Sequence, residues 1–129
     1  MVRSFRDLDV WRLGVELAES IYRQTTAFPR CETYGLTAQL RRAAVSIPSN
    51  IAEGRARDSS KEFLHFLAIA RGSLDELETQ LEIAIRLGYA AADLAASVAQ
   101  ADILGKRLHC LQNSIRAKLP KPQSLIPNP

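Results

Sequence analysis

With 129 residues, 47% hydrophobic and 24% charged, the chain is long enough for one sizeable core, too short for two, and too apolar to be a disordered polymer. A net charge of +3 and a pI near 9.1 permit an acidic partner without requiring one. Two cysteines far apart in the chain, Cys31 and Cys110, argue against a disulfide scaffold and for a reducing compartment.

The opening MVRSFRDLDVW puts charges where a signal peptide needs an apolar run, and no stretch of about 18 apolar residues follows. A cytoplasmic protein without a membrane segment is expected. The first helix is read over 8–27, with a seam of Leu8, Trp11, Val15, Ala18, Tyr22 and Thr25. Val10, Leu17 and Ile21 widen that face, and Pro29 closes the element.

The second helix is expected over 36–57, with a core face of Leu36, Leu40, Ala44, Ile47, Ile51 and Gly54. Its middle, RRAAVSIPSNIAEGRAR, carries Pro48 among small residues and arginines. A proline here removes one amide and crowds the carbonyl of Ala44, at a cost of about 3 kcal/mol unless neighbours compensate, so a kink near Pro48 is expected. Pro48 shares a face with Val45 and Ala52, beside Ser46, Ser49 and Asn50, where another backbone can approach closely. Two partners fit that face: another helix of the same bundle, or a second subunit.

The third helix, 60–87, repeats steps of four and three through Phe63, Leu67, Ala70, Leu74, Leu77, Leu81 and Ala84. Ser59 and Glu62 form a capping box at its start. Gly88 is a left-handed stop with Tyr89 placed to pack back. The fourth helix, 93–119, follows Leu94, Val98, Ala101, Leu104, Leu108, Leu111, Ile115 and Leu119 until Pro120. Four of the six prolines fall in 120–129, which predicts a Pro-rich flexible tail after a bundle spanning 1–119. No strand-like alternation or internal repeat appears. Short connections between long helices predict an all-α, antiparallel up-down-up-down four-helix bundle.

FRDLDVW, AQLRRAAVSIPSNIAEGRAR, EFLHFLAIARGSLDELETQL and LGY together resemble the bacterial 23S rRNA-intervening-sequence family from about Phe5 to Leu119, most specifically from Arg41 to Gly54. The resemblance implies an antiparallel four-helix bundle and a ring-like homopentamer, without a settled biochemical role. A more distant similarity, to the accessory protein of diversity-generating retroelements, implies a pentameric bundle that meets nucleic acid through basic surfaces. The alanine-rich YAAADLAASVAQ departs from the family pattern.

The residues argue against an enzyme. A di-iron bundle needs two Glu-x-x-His pairs. Glu62 to His65 is one, but Lys106 stands three residues before the only other histidine, His109. No metal or cofactor is expected. Cys110 directly follows His109, and helical neighbours point about 100° apart, so they do not form a nucleophile and base pair. The six glycines are isolated and make no phosphate loop.

Positive charge is the remaining signal. The up-down topology gathers Arg3, Arg6, Arg55, Arg57, Lys61, Arg116, Lys118 and Lys121 at one end, against Asp7, Asp9, Glu53, Asp58 and Glu62. Bases also suit helix carboxyl ends, by about 0.3–1 kcal/mol each. As a functional feature they form a phosphate-binding pole at Arg55, Arg57, Lys61, Arg116 and Lys118. Arg41 and Arg42, about 20 Å up the second helix, either extend the track or pair with acids of the third helix. Two functions fit: an oligomeric bundle binding RNA or DNA without reading sequence, or an assembly scaffold whose partner is another protein.

Overall fold

The structure, a computed structural model, describes residues 4–89 and 91–120. Arg3, Lys121 and the expected tail beyond Pro120 lie outside the described residues. Helix α1 is Asp9–Thr25, α2 Leu36–Arg55, α3 Ser60–Arg86 and α4 Ala91–Lys118, with short 3-10 turns at Phe5–Asp7 and Arg30–Glu32. Among the described residues there is no strand. No helix there is long and apolar enough to cross a membrane.

Each helix packs against two others, and contacts fix the directions. Gly14 meets Pro48 while Tyr22 and Thr25 meet Arg41, so α1 and α2 run opposite ways. Ser46 meets Ser73 and Gln39 meets Gln80 between α2 and α3. Gly105 meets Leu74 and Gln112 meets Arg71 between α3 and α4. Asp9 meets Arg107 and Gln24 meets Ser97 between α1 and α4, closing an antiparallel bundle.

The core face of α2 is the one its spacing implies: Leu36, Leu40, Ala44, Ile47, Ile51 and Gly54 are all buried. The face of α1 is rotated from the expected seam. Val10, Gly14, Leu17, Ile21 and Thr25 point inward, whereas Val15 and Tyr22 are 40% and 46% exposed. The reason is Gly14: an added Cβ there would stand 3.3 Å from the Pro48 Cβ, so the bare backbone of α1 lies on the proline ring. A glycine adds nothing to an apolar pattern, yet it sets which side of α1 turns inward. On α4, Val98 of the expected seam is 40% exposed and Ser97 is buried instead, its hydroxyl donating to Gln24 Oε1.

Helix α2 continues unbroken from Leu36 to Arg55 through Pro48. Of the two partners that fit the face of Pro48, the structure gives Pro48 itself the one within the bundle, buried against α1; Val45 and Ala52 beside it keep exposed or half-buried surface. On the other side of α2, the Ser46 and Ser73 hydroxyls lie 2.8 Å apart, and Asn50 Nδ2 donates to the Ser46 carbonyl. The small residues of α2 therefore bring both α1 and α3 close.

The ends of α3 fall where their signals place them, with the Ser59 half of the expected capping box formed. Ser59 Oγ accepts from the Glu62 amide at 3.2 Å. At the other end Gly88 adopts φ +80, Tyr89 N donates to Ala84 O and Gly88 N to Ile85 O, a Schellman stop. Glu32 ties this turn to α2: its Oε1 accepts from the Leu36 amide and its Oε2 from the Tyr89 hydroxyl. In mid-α3 an added Cβ on Gly72 would find no atom within 4 Å. Gly72→Ala is therefore expected to raise stability by about 0.5–1 kcal/mol, read as a higher denaturation midpoint in urea.

Candidate nucleic-acid interface

Helix α2 ends at Arg55 and α3 starts at Ser60, so only four residues turn the chain. Gly54 makes so short a turn possible. A Cβ there would fall 2.6 Å from the Phe66 Cβ, which means the end of α2 rests directly on the first turns of α3. The junction encloses a cleft of about 400 Å3 lined by Arg55, Arg57, Asp58, Ser59, Ser60 and Phe63.

Two sources of positive potential meet at this cleft. One is the amino end of the 27-residue α3, whose first amides lack partners within the helix and carry the positive end of its dipole. The other is the arginines. Arg55 is half-buried. Arg57 reaches Glu53 at 3.2 Å and lies 5.1 Å over the Phe66 ring, which holds its guanidinium at the mouth. Amides and guanidinium groups together suit an oxyanion such as phosphate. Asp58 sets a negative charge on the rim and favours diffuse backbone contact over a tight pocket for a free anion.

The other expected bases are distributed as follows. Lys61 is exposed on the first turn of α3 and Lys118 on the last turn of α4. From the contact between Arg71 and Gln112, Lys61 lies ten residues on and Lys118 six, about 15 and 9 Å towards the same end. Arg116 donates to Asn113 Oδ1, next in a polar row that runs through His109 to Arg71. Arg41 is committed elsewhere. Its Nε donates to Thr25 Oγ1 at 2.9 Å, its Nη2 to the Tyr22 carbonyl, and it stacks 4.7 Å over the Tyr22 ring. It neither extends the track nor meets the acids of α3, because its position on α2 faces α1. Arg42, one step round the helix, is exposed.

Ser59 and Phe63, a cap and a seam residue by their spacing, also line the cleft, as does Ser60. The available signal was adjacency: an N-cap serine directly follows Arg55-Ala56-Arg57-Asp58. Among the described residues no group of three or more His, Cys, Asp or Glu side chains is placed to hold a metal.

The 23S rRNA-intervening sequence protein family matches this chain over residues 6–109. A solved structure from Bacteroides thetaiotaomicron VPI-5482, described as a protein of unknown function from the S23 ribosomal protein family, is 24% identical with a TM-score of 0.71. The match covers 80% of this chain and 97% of that one, a likeness of fold. Comparison with curated proteins gives no match.

Proposed function

The chain belongs to the 23S rRNA-intervening sequence protein family, and on that footing we propose that it is a non-enzymatic, self-associating helical bundle that binds the phosphate backbone of RNA or DNA at the pole around Arg55 and Arg57. The cleft at the α2–α3 junction carries this reading, because Arg55 and Arg57 line it together with the amino end of a long helix. A homopentamer, as the resemblance implies, repeats the pole around a ring and multiplies weak contacts. Among the described residues no aromatic platform stands free at the pole, where Phe63 packs against the core, which supports contact with the backbone over reading of bases.

The test is a titration of labelled RNA and duplex DNA at several salt concentrations. With about four phosphate contacts among Arg55, Arg57, Lys61, Arg116 and Lys118, log affinity should fall against log salt with a slope of roughly −3 to −4 per subunit engaged. Replacing Arg55 and Arg57 together by Gln should make that slope shallower by about 1–2 while the helical circular dichroism stays unchanged. Binding absent at tens of micromolar, or indifferent to the two substitutions, rejects the phosphate pole and leaves an assembly scaffold for another protein.

A further inference from the structure

Two flanks on opposite sides of the bundle are unlike in charge and alike in exposed apolar surface. The α1–α2 flank presents Val15, Ala18 and Tyr22 beside Val45 and Ala52, with Val45 42% exposed. Arg41 and Arg42 are its charges, and α2 holds no Asp or Glu from Leu36 to Ala52. Of the three acids of α1, Asp9 pairs with Arg107 of α4 and Glu19 with Arg23 of its own helix, while the exposed Glu16 follows Val15 by about 100° on the side turned from α2.

The α3–α4 flank is the reverse. Leu81, Ile85 and Val98 line a shallow cleft of about 190 Å3 together with Glu78 and Glu82. A second hollow adjoins it, lined by Glu78 and Asp102 and also by Arg71, Lys106 and His109, with Arg71 turned to Gln112 and Lys106 to Asp102. Glu82 and Asp102 have basic partners on their own helices, Arg86 and Lys106. Glu78 and Asp75 have no ion-pair partner among the described residues. Burial, and then the neighbouring Asp75 and Asp102, push the Glu78 carboxyl above its ordinary range. Among the described residues no cation forms an ion pair with that carboxyl, since Lys106 pairs with Asp102 and Arg71 donates to Gln112.

From this complementarity we infer that a second copy of the chain docks head-to-tail, the basic apolar α1–α2 flank of one subunit on the acidic apolar α3–α4 flank of the next. The inference rests on the self-association proposed above and adds the surfaces that make it. A two-fold contact of either flank with itself would set Arg42 against Arg42, or Glu78 against Glu78, in a partly desolvated seam. Only the unlike pairing brings cations to Glu78 and Asp75 while covering Val45, Tyr22 and Val98. Two helices side by side, about 30 Å long and 20 Å across, cover on the order of 600 Å2, near the lower end of stable interfaces. A head-to-tail contact repeats, so it closes into a ring when the rotation allows and otherwise grows into a filament.

Charge reversal tests this by light scattering, with circular dichroism as the check on fold, since both residues are on the surface. Arg42→Glu and Glu78→Arg should each weaken association at least tenfold. The double variant carrying both reversals should restore it at any ring size, because its acidic α1–α2 flank then meets the basic α3–α4 flank of its neighbour. A native protein near the 14.3 kDa monomer at micromolar concentration overturns both this inference and self-association itself. A native oligomer whose mass survives each single reversal, or a folded double variant that stays dissociated, overturns these surfaces alone.

Discussion

Leu17→Ala is expected to lower the free energy of unfolding by about 2–5 kcal/mol, while Val15→Ala, two residues away, changes it by about 0.5 kcal/mol or less. Leu17 is fully buried at the centre of the inward face of α1, between Gly14 and Ile21, whereas Val15 keeps 40% of its surface in solvent. Deleting the Leu17 side chain beyond Cβ leaves a cavity that backbones pinned by Gly14 and Pro48 cannot close. Thermal melts should be run at submicromolar protein, because Val15 also belongs to the flank assigned to a neighbouring subunit. At about 3–6 °C per kcal/mol for a chain of this size, Leu17→Ala should melt at least about 6 °C lower. Equal losses at the two positions would return the core face to the seam through Val15.

The second large effect is at Gly54. A methyl there would stand 2.6 Å from the Phe66 Cβ and 3.1 Å from its neighbour Phe63 at Cδ1. The Phe66 Cβ is one bond from the backbone of α3 and does not swing aside as a side-chain tip does. Gly54→Val must therefore push the end of α2 away from α3, at a cost of about 1–3 kcal/mol despite the gain from removing a helical glycine. The displaced end carries Arg55, so nucleic-acid affinity should fall along with the denaturation midpoint. A variant as stable as the native protein would show that α3 recoils freely. The contrast with Gly72→Ala is instructive, because a gain in helix propensity, smaller for Val than for Ala, is opposed by a neighbour at Gly54 and by none at Gly72.

How legible the fold was in the sequence depended on whether the deciding atoms belong to one helix. Helix α3 carried everything locally: an unbroken apolar stripe, Ser59 at one end, Gly88 and Tyr89 at the other. Its observed span, Ser60–Arg86, follows the expected one closely. The inward side of α1 depended on a glycine meeting a proline of another helix, and a periodic pattern scores a glycine as blank. In α4 the alanines dilute the contrast between faces, and Ser97 is buried by virtue of a hydrogen bond to Gln24 that no spacing announces. The bases of the pole could be named from the chain. The cleft could not, since it arises from Gly54 seating α2 on Phe66. Arg41 lay beyond reach for a similar reason: whether a long side chain meets α1 or α3 depends on how two helices slide past each other.

The way the four seams are distributed along the chain bears on how the bundle assembles in time. Three seams join helices that follow one another, so each can zip from a short turn at little loop-closure cost. The fourth joins Asp9 to Arg107 and Gln24 to Ser97, and its formation waits until nearly the whole chain has been ordered. That order makes the α1–α4 seam the last to close and the first to open; beside its share of the apolar core, the links across it among the described residues include the exposed Asp9–Arg107 pair and the Ser97–Gln24 bond. Amide exchange should therefore be fastest along the outer helices, while the α2–α3 hairpin, locked by Gly54 on Phe66, protects its amides until the whole molecule unfolds.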